Sequence, residues 1–328
     1  MNITSSAIFL ALFFLIELFY FRIADRYNII DKPNFRSSHS KITIRGGGII
    51  FTIAVLLHCF ISDFSYPFFV LGLVIISSIS FADDIKPISN RFRIICHFLA
   101  VSLLFYQVGL FKLPIYIVPV AFVMAIGIIN AINFMDGING LTGIYSFVTL
   151  LTLYYLDTNV TPDFVSKDLL ITAILAVTVF MFFNLRTKAK SFAGDVGSVG
   201  IAFIIIFFMV SLIVASGKVT YLLLLLLYGL DAISTIVFRL VRRENIFKAH
   251  RSHFYQFLAN EKRIPHPMVA LGYAISQSIF NALLIILEPS LTWTIIGVVL
   301  LGLLFVALRF TLEGKRRLLL REKQPSKA

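Results

Sequence analysis

Apolar residues run along this chain in blocks of roughly 16–20, about the length that crosses the hydrocarbon of a bilayer, and the blocks recur from one end to the other. Eleven blocks stand at about 5–21, 46–62, 67–82, 92–109, 114–131, 141–156, 169–184, 196–215, 219–237, 268–287 and 291–309, and each predicts a membrane-spanning helix. No Gly/Ser-rich linker and no sequence repeat divides the series. The expected architecture is therefore all-α, a polytopic integral membrane protein in which residues 1–328 form one domain of packed helices. The first block has no basic residue before it and no small-residue cleavage site after it, and Arg22 and Arg26 follow directly. It reads as a retained anchor with its N-terminus outside.

Composition agrees. Of 328 residues, 59% are hydrophobic and 14% charged, against about 45–50% and about 25% in an average soluble domain, which excludes a water-soluble globule. Lys and Arg number 29 against 17 Asp and Glu. With the N-terminus outside, 26 of those 29 fall in the alternate gaps and the C-terminal tail that face the cytoplasm, leaving Lys112, Lys167 and Lys218 outside. The excess thus records orientation, with a cytoplasmic C-terminus, and does not call for nucleic acid. Cys59 and Cys96 fall near opposite ends of their spans and read as two apolar thiols.

The polar residues that carry chemistry gather in five cytoplasmic gaps. The outer loops are plain, with Asp157, Asp163 and Asp168 expected as solvated surface. The first gap has Arg36, Lys41 and Arg45 before Gly46-Gly47-Gly48. Its glycines either allow close helix packing or bring backbone N–H groups to an anion. The second carries adjacent carboxylates, Asp83 and Asp84, then Lys86, Asn90, Arg91 and Arg93. Two like charges at the end of an apolar helix need a cation or a hydrogen-bond network, or act as a general base. In the third, Asn130, Asn133 and Asp136 recur every three residues, and Gly137, Asn139 and Gly140 follow without one Lys or Arg. Such oxygen donors suit Mg²⁺, while an Asn/Gly turn is the plainer alternative. In the fourth, Asn184 precedes Gly194-Asp195-Val196-Gly197-Ser198 at the start of a span, where Asp195 is either a site carboxylate or a helix cap. The fifth holds Lys248, His250, Arg251, Ser252, His253 and Gln256, a set suited to phosphate and sugar rather than zinc. Glu17 and Asp231 lie inside spans; Asp231 is a functional candidate whose partner is expected to be Arg239 or a neighbouring polar helix face.

Five clusters in this order on one face resemble the polyprenyl-phosphate N-acetylhexosamine-1-phosphate transferases (glycosyltransferase family 4). With Asp136 to Gly140 and His250 to His253 as they stand, the chain looks most like the branch that initiates O-antigen or capsule synthesis. The resemblance covers nearly the whole chain. It implies transfer of an N-acetylamino-sugar 1-phosphate, GlcNAc or a 6-deoxy relative, from a UDP-sugar to undecaprenyl phosphate, with release of UMP. It further implies Mg²⁺, with Mn²⁺ as a substitute, a bacterial inner-membrane location with the site facing the cytoplasm, and a homodimer as an allowed assembly. By the same resemblance Asp83 is the base on the lipid phosphate with Asp84 beside it, Asn133 and Asp195 hold the metal, and Asp136 supports it. Asn130 and Asn184 contact nucleotide or metal-bound water, His250, Arg251 and His253 contact diphosphate and sugar, and Arg45 and Lys86 lie near the lipid phosphate. The alternatives are phospho-MurNAc-pentapeptide translocase activity, though the triple-histidine motif of that branch is absent, and a lipid or sugar transporter. Three positions depart from the family pattern: Asn139 stands where Asp is usual, so that Asn139→Asp is expected to be tolerated; Thr43-Ile44 precede Arg45 where a proline is usual; and no proline follows Asn184.

Overall fold

Helices form at every apolar block of the chain, whose computed structural model describes residues 1–31, 42–246 and 250–320. They are α1 (Ile3–Arg26), α2 (Ile49–Ile61), α3 (Pro67–Ile85), α4 (Asn90–Gln107), α5 (Ile117–Met135), α6 (Leu141–Asn159), α7 (Lys167–Asn184), α8 (Gly194–Ser216), α9 (Leu226–Val241), α11 (His266–Leu287) and α12 (Leu291–Glu313). Two short helices, α10 (Phe254–Asn260) and α13 (Lys315–Leu319), lie between and beyond them. Local sequence explains several starts: Asn2, Ser89, Ser166 and Ser290 each cap a helix by accepting a backbone N–H. Eight spans are long and apolar enough to cross a membrane, namely α1, α3, α5, α7, α8, Val219–Val241, α11 and α12. The remaining three blocks are filled by α2, α4 and α6. With 13 residues, α2 is about 20 Å long, too short for a full crossing at 1.5 Å per residue.

The centre is α8. Every residue from Val196 to Met209 is buried, which is what a helix apolar on all sides requires. It packs against α2, α3, α5 and α6. Phe69 of α3 stacks on its Phe207 with centroids 3.9 Å apart. At one end of the bundle a two-stranded antiparallel pair, β1 (Ile30–Asp31) and β2 (Thr43–Ile44), ties α1 to α2, and Phe192 N–H donates to the Ile44 carbonyl (2.8 Å).

The ninth span is broken. Val219–Leu225 is 3-10 helix and α9 begins at Leu226, so some backbone groups lose their α-helical partners at membrane depth. Gln277 of α11 replaces them: its Oε1 accepts from Leu227 N–H (3.0 Å) and its Nε2 donates to the Leu223 carbonyl (3.1 Å). Tyr145 holds that amide in place with a 2.5 Å hydrogen bond. At the other end, Asp157 is fully buried and accepts from Val165 N–H (3.3 Å), so it is not the solvated surface its loop position suggested.

Candidate active site

The C-terminal ends of α3, α5 and α7 and the N-terminal ends of α4, α6 and α8 meet at the end of the bundle that carries the β pair. There Asp84, at the last turn of α3, turns inward. Its side chain is fully buried and accepts from the first N–H groups of α8, Asp195 (2.8 Å) and Val196 (3.0 Å). The cap of α8 therefore comes from another helix, and this frees the Asp195 carboxylate from the capping role its position allowed. The approach needs Gly194. Its φ is +71°, and a Cβ there would lie 2.6 Å from the Asp84 carboxylate.

An alternating chain of charges results. Arg45 places Nε 2.6 Å from Asp84 Oδ1 and Nη2 3.1 Å from Asp195 Oδ1. Arg93 of α4 reaches Asp83 Oδ2 (2.8 Å) with Nη1 and Asp195 Oδ2 (3.4 Å) with Nη2. Asp83 also accepts from Ile88 N–H (2.6 Å). The backbone of Arg45 is held by Tyr20, whose hydroxyl donates to its carbonyl (2.6 Å). Burial works against the Arg45 charge, but Asp84, Asp195 and Asp31 outweigh it and raise its pKa further.

Asn133 and Asp136 approach from α5. Ser198 of α8 donates to Asn133 Oδ1 (2.7 Å), fixing the amide oxygen one turn from Asp195. Burial pushes the Asp136 carboxyl up to about 7, and the negative charges of Asp195 and Asp84 push it the same way. Four carboxylates thus share a site with two guanidiniums. Among the described residues no three His, Cys, Asp or Glu side chains already stand as a ligand shell. The donors nonetheless fit a hard divalent cation: carboxylate and amide oxygens from Asp83, Asn133, Asp136 and Asp195, in negative excess.

The remaining sequence candidates divide. Asn130 donates to Ile126 O of its own helix (2.8 Å). Asn184 is buried; its Oδ1 accepts from Gly140 N–H (2.7 Å) and its Nδ2 donates to Ser191 O (2.7 Å), so it fastens the loop before α8 to the loop after α5. Lys86 is exposed at the end of α3, outside the charge chain, where Arg93 provides the second cation. Arg93 was visible in the second cluster, but only the packing of α3 on α4 singles it out. The glycines of the first gap serve packing: Gly47 and Gly48 N–H bond to the carbonyls of Phe192 and Ala193, and a Cβ on Gly48 would lie 2.3 Å from Gly197 Cα. Arg36, Lys41 and Lys248 lie outside the described residues.

The fifth cluster joins the same end through α5. Tyr255 donates to the Phe134 carbonyl (2.9 Å), and its hydroxyl rests against Gly137. The rings of His250 and His253 are 4.9 Å apart, and Phe134 lies 6.0 Å from His250. Arg251 is half-buried beside them. Burial and the neighbouring His253 and Arg239 lower His250 to about 3, so it is a neutral imidazole at physiological pH. Arg239 pairs with Glu244 (3.1 Å) and not with Asp231, whose partners are His253 (3.3 Å) and Arg309 (4.0 Å).

Residues 66–213 match the family model described as glycosyl transferase family 4. The stretch runs from the start of α3 to near the end of α8. It contains Asp83, Asp84, Arg93, Asn130, Asn133, Asp136, Asn184 and Asp195, but neither Arg45 nor the His250–His253 segment. The match supports a polyprenyl-phosphate sugar-phosphate transferase activity in a membrane protein. A search of curated proteins returns no match.

Proposed function

Proceeding from a stretch that matches glycosyl transferase family 4, we propose that this protein transfers an N-acetylamino-sugar 1-phosphate from a UDP-sugar to undecaprenyl phosphate at the cytoplasmic side of a bacterial inner membrane, as the first step of a surface glycan. The carrying observation is the chain Asp83–Arg93–Asp195–Arg45–Asp84, drawn from four separate segments to one end of a membrane bundle. An oxygen of the lipid phosphate attacks the sugar-bearing phosphorus, and the bond to UMP breaks. Little covalent help is needed; the site must position two anions and neutralise the charge they bring together.

The residues suit that division. Asp83 lies at the mouth of α3 and orients or deprotonates the acceptor phosphate, while Arg45 and Arg93 supply positive charge. Asn133 and Asp195 would hold Mg²⁺, with Asp136 behind them. That ion, when bound, screens the diphosphate and stabilises the leaving UMP oxygen. His250, as a neutral donor, and Arg251 and His253 face the sugar diphosphate. Lys86, exposed at the rim, meets the lipid phosphate as it arrives. Asn184 fastens the loop before α8 to the loop after α5, and Asn130, one turn before Asn133 on α5, would contact nucleotide or metal-bound water. An apolar cleft of about 350 Å³ walled by Phe105, Met124 and Met209 runs to Leu113, Gly217 and Val219 at the end of the bundle away from the carboxylate cluster, so it suits the far prenyl units of the lipid and not those next to its phosphate.

The test is UMP release from purified protein supplied with undecaprenyl phosphate, Mg²⁺ and a panel of UDP-amino sugars. Turnover with one of them, lost in Asp195→Asn without a change in folding, is the expected result. No UMP from any of them discards the assignment.

A further inference from the structure

We infer that Asp231 is the positioning residue for His253: it holds the imidazole with its proton on Nδ1, so that Nε2 faces the sugar diphosphate and can take up a proton to donate to it. The inference rests on the transferase reading for its ligand and on geometry for the rest.

Asp231 sits in α9 with no exposure at all. A buried carboxylate is costly unless its oxygens are occupied, and here both are. Oδ1 accepts from Phe254 N–H (2.9 Å) and faces His253 Nδ1 (3.3 Å), and Oδ2 accepts from Tyr255 N–H (3.2 Å) and the Tyr273 hydroxyl (2.7 Å). Arg309, only 1% exposed, stands 4.0 Å away and donates to Ser234, Thr235 and the Ser252 carbonyl, balancing the charge without taking the carboxylate's place at His253. An ionised carboxylate can only accept. A contact of His253 with Asp231 thus puts the proton on Nδ1 and leaves Nε2 as the working atom, whereas the Gln256 N–H, which the capping box of α10 aims at the same ring, would bond Nδ1 only in the opposite tautomer.

The second observation concerns that atom. His253 is 2% exposed, and its Nε2 has no hydrogen-bond partner in the structure. A desolvated, unpaired nitrogen costs about 1–3 kcal/mol; His58 and His97 each leave one such nitrogen singly, so what sets His253 apart is a second one in the adjacent ring. The neighbouring His250 leaves Nδ1 unpaired as well, 4.9 Å between ring centres. Two adjacent imidazoles with orphaned nitrogens mark a place that a ligand's acceptor or donor atoms fill. Tyr255, bonded to Phe134 at the end of α5, sets that place beside Asn133 and Asp136. A nucleotide diphosphate suits both once positive charge is added: a divalent cation would join it to the carboxylates, and His253 Nε2 would take up a proton to donate to a phosphate oxygen, which a bare lone pair cannot do. Asp231 touches neither, so its effect must pass through His253.

The experiment reads the tautomer and the kinetics separately. In protein labelled with ¹⁵N-histidine, the His253 signals are assigned by their loss in His253→Gln. Expected in the wild type are an Nδ1–H tautomer and an Nε2 resonance that moves on addition of UDP with Mg²⁺. Asp231→Asn should lose the tautomer preference, whereas Tyr273→Phe, which removes a different bond to the same carboxylate, should retain it. Transfer should fall about ten- to a hundred-fold in Asp231→Asn, with a rise in KM for the UDP-sugar. In a His253→Gln background, where the side-chain amide replaces Nε2 without a tautomer, Asp231→Asn should cost little more. An Nε2–H tautomer in the wild type, an Nε2 signal indifferent to UDP, or independent multiplication of the two effects overturns the inference. Absence of transfer with an intact Nδ1–H tautomer that responds to UDP would instead discard the transferase reading alone.

Discussion

An amide and a carboxylate share a shape but differ at one atom, and Asn139 depends on the difference. Its Nδ2 donates to two carbonyls, Arg186 (2.9 Å) and Thr187 (3.2 Å), in a site only 5% exposed. A carboxylate there would set oxygen against two oxygens. The tolerance of Asn139→Asp expected from the family pattern is therefore reversed: this variant should lose about 1–3 kcal/mol and melt lower than Asn139→Ala, as thermal unfolding can check. At Asp136 the same reasoning concerns protons. Its folded pKa of about 7 lies above the ordinary 3.8, so between those values the folded state holds the extra proton. Stability should fall as pH rises from about 4 to about 7 and then level. In chelator, Asp136→Asn should reduce the fall without abolishing it, because burial also pushes the Asp195 carboxyl up to about 6 and raises Asp84, and Mg²⁺ should reduce it in the wild type; melting curves across that range decide. Neither effect could be read from the sequence. The third cluster's spacing drew attention to Asn133 and Asp136, but it could not say that Asn184 and Asn139 are occupied by backbone, nor that Asp84 would reach across to cap α8. Those facts belong to loops brought together from 44 to 111 positions apart.

Between elements, the contact on which the site depends most is α2 against α8. Gly48 and Gly197 let the two backbones approach so closely that a Cβ on Gly48 would overlap Gly197 Cα at 2.3 Å. Backbone cannot yield as a flexible side chain does, so Gly48→Ala must move α2, and with it Arg45, three residues away. Transfer should fall about tenfold or more and the melting temperature should drop. Gly127→Ala in α5, where nothing lies within 4 Å, should leave both within error or raise stability by about 0.5–1 kcal/mol. Equal effects of the two substitutions would show that the close approach is not what matters. The length of the apolar blocks located all the long helices because each must be apolar over its whole length. It gave no warning of the break at Leu226, whose backbone is satisfied by Gln277 from 50 residues away. Nor did it show that α2 is short. Composition reports what a segment avoids in lipid; pairing between segments is what it leaves unstated.

At the scale of the molecule, charge and geometry point the same way. Arg22, Arg26, Arg91, Arg93, Lys188 and Lys190 stand at the helix ends around the carboxylate cluster, while Lys112, Lys167 and Lys218 stand at the opposite end. Basic residues are retained on the cytoplasmic side during insertion, so the cluster should open to the cytoplasm, where the proposed UDP-sugar would reach it. Residues exposed at each end can report this. In a Cys59→Ala/Cys96→Ala background, Lys188→Cys and Lys112→Cys place one thiol at each end, and both native lysines are exposed. An impermeant maleimide applied to intact cells should label only position 112, and position 188 should label after the membrane is opened. The reverse pattern would turn the carboxylates and arginines outward, away from any UDP-sugar, and the transferase assignment would fall with the orientation. Labelling of both from outside would mean that the two ends do not lie on opposite faces, and would remove the membrane-spanning arrangement on which the placement of the lipid phosphate depends.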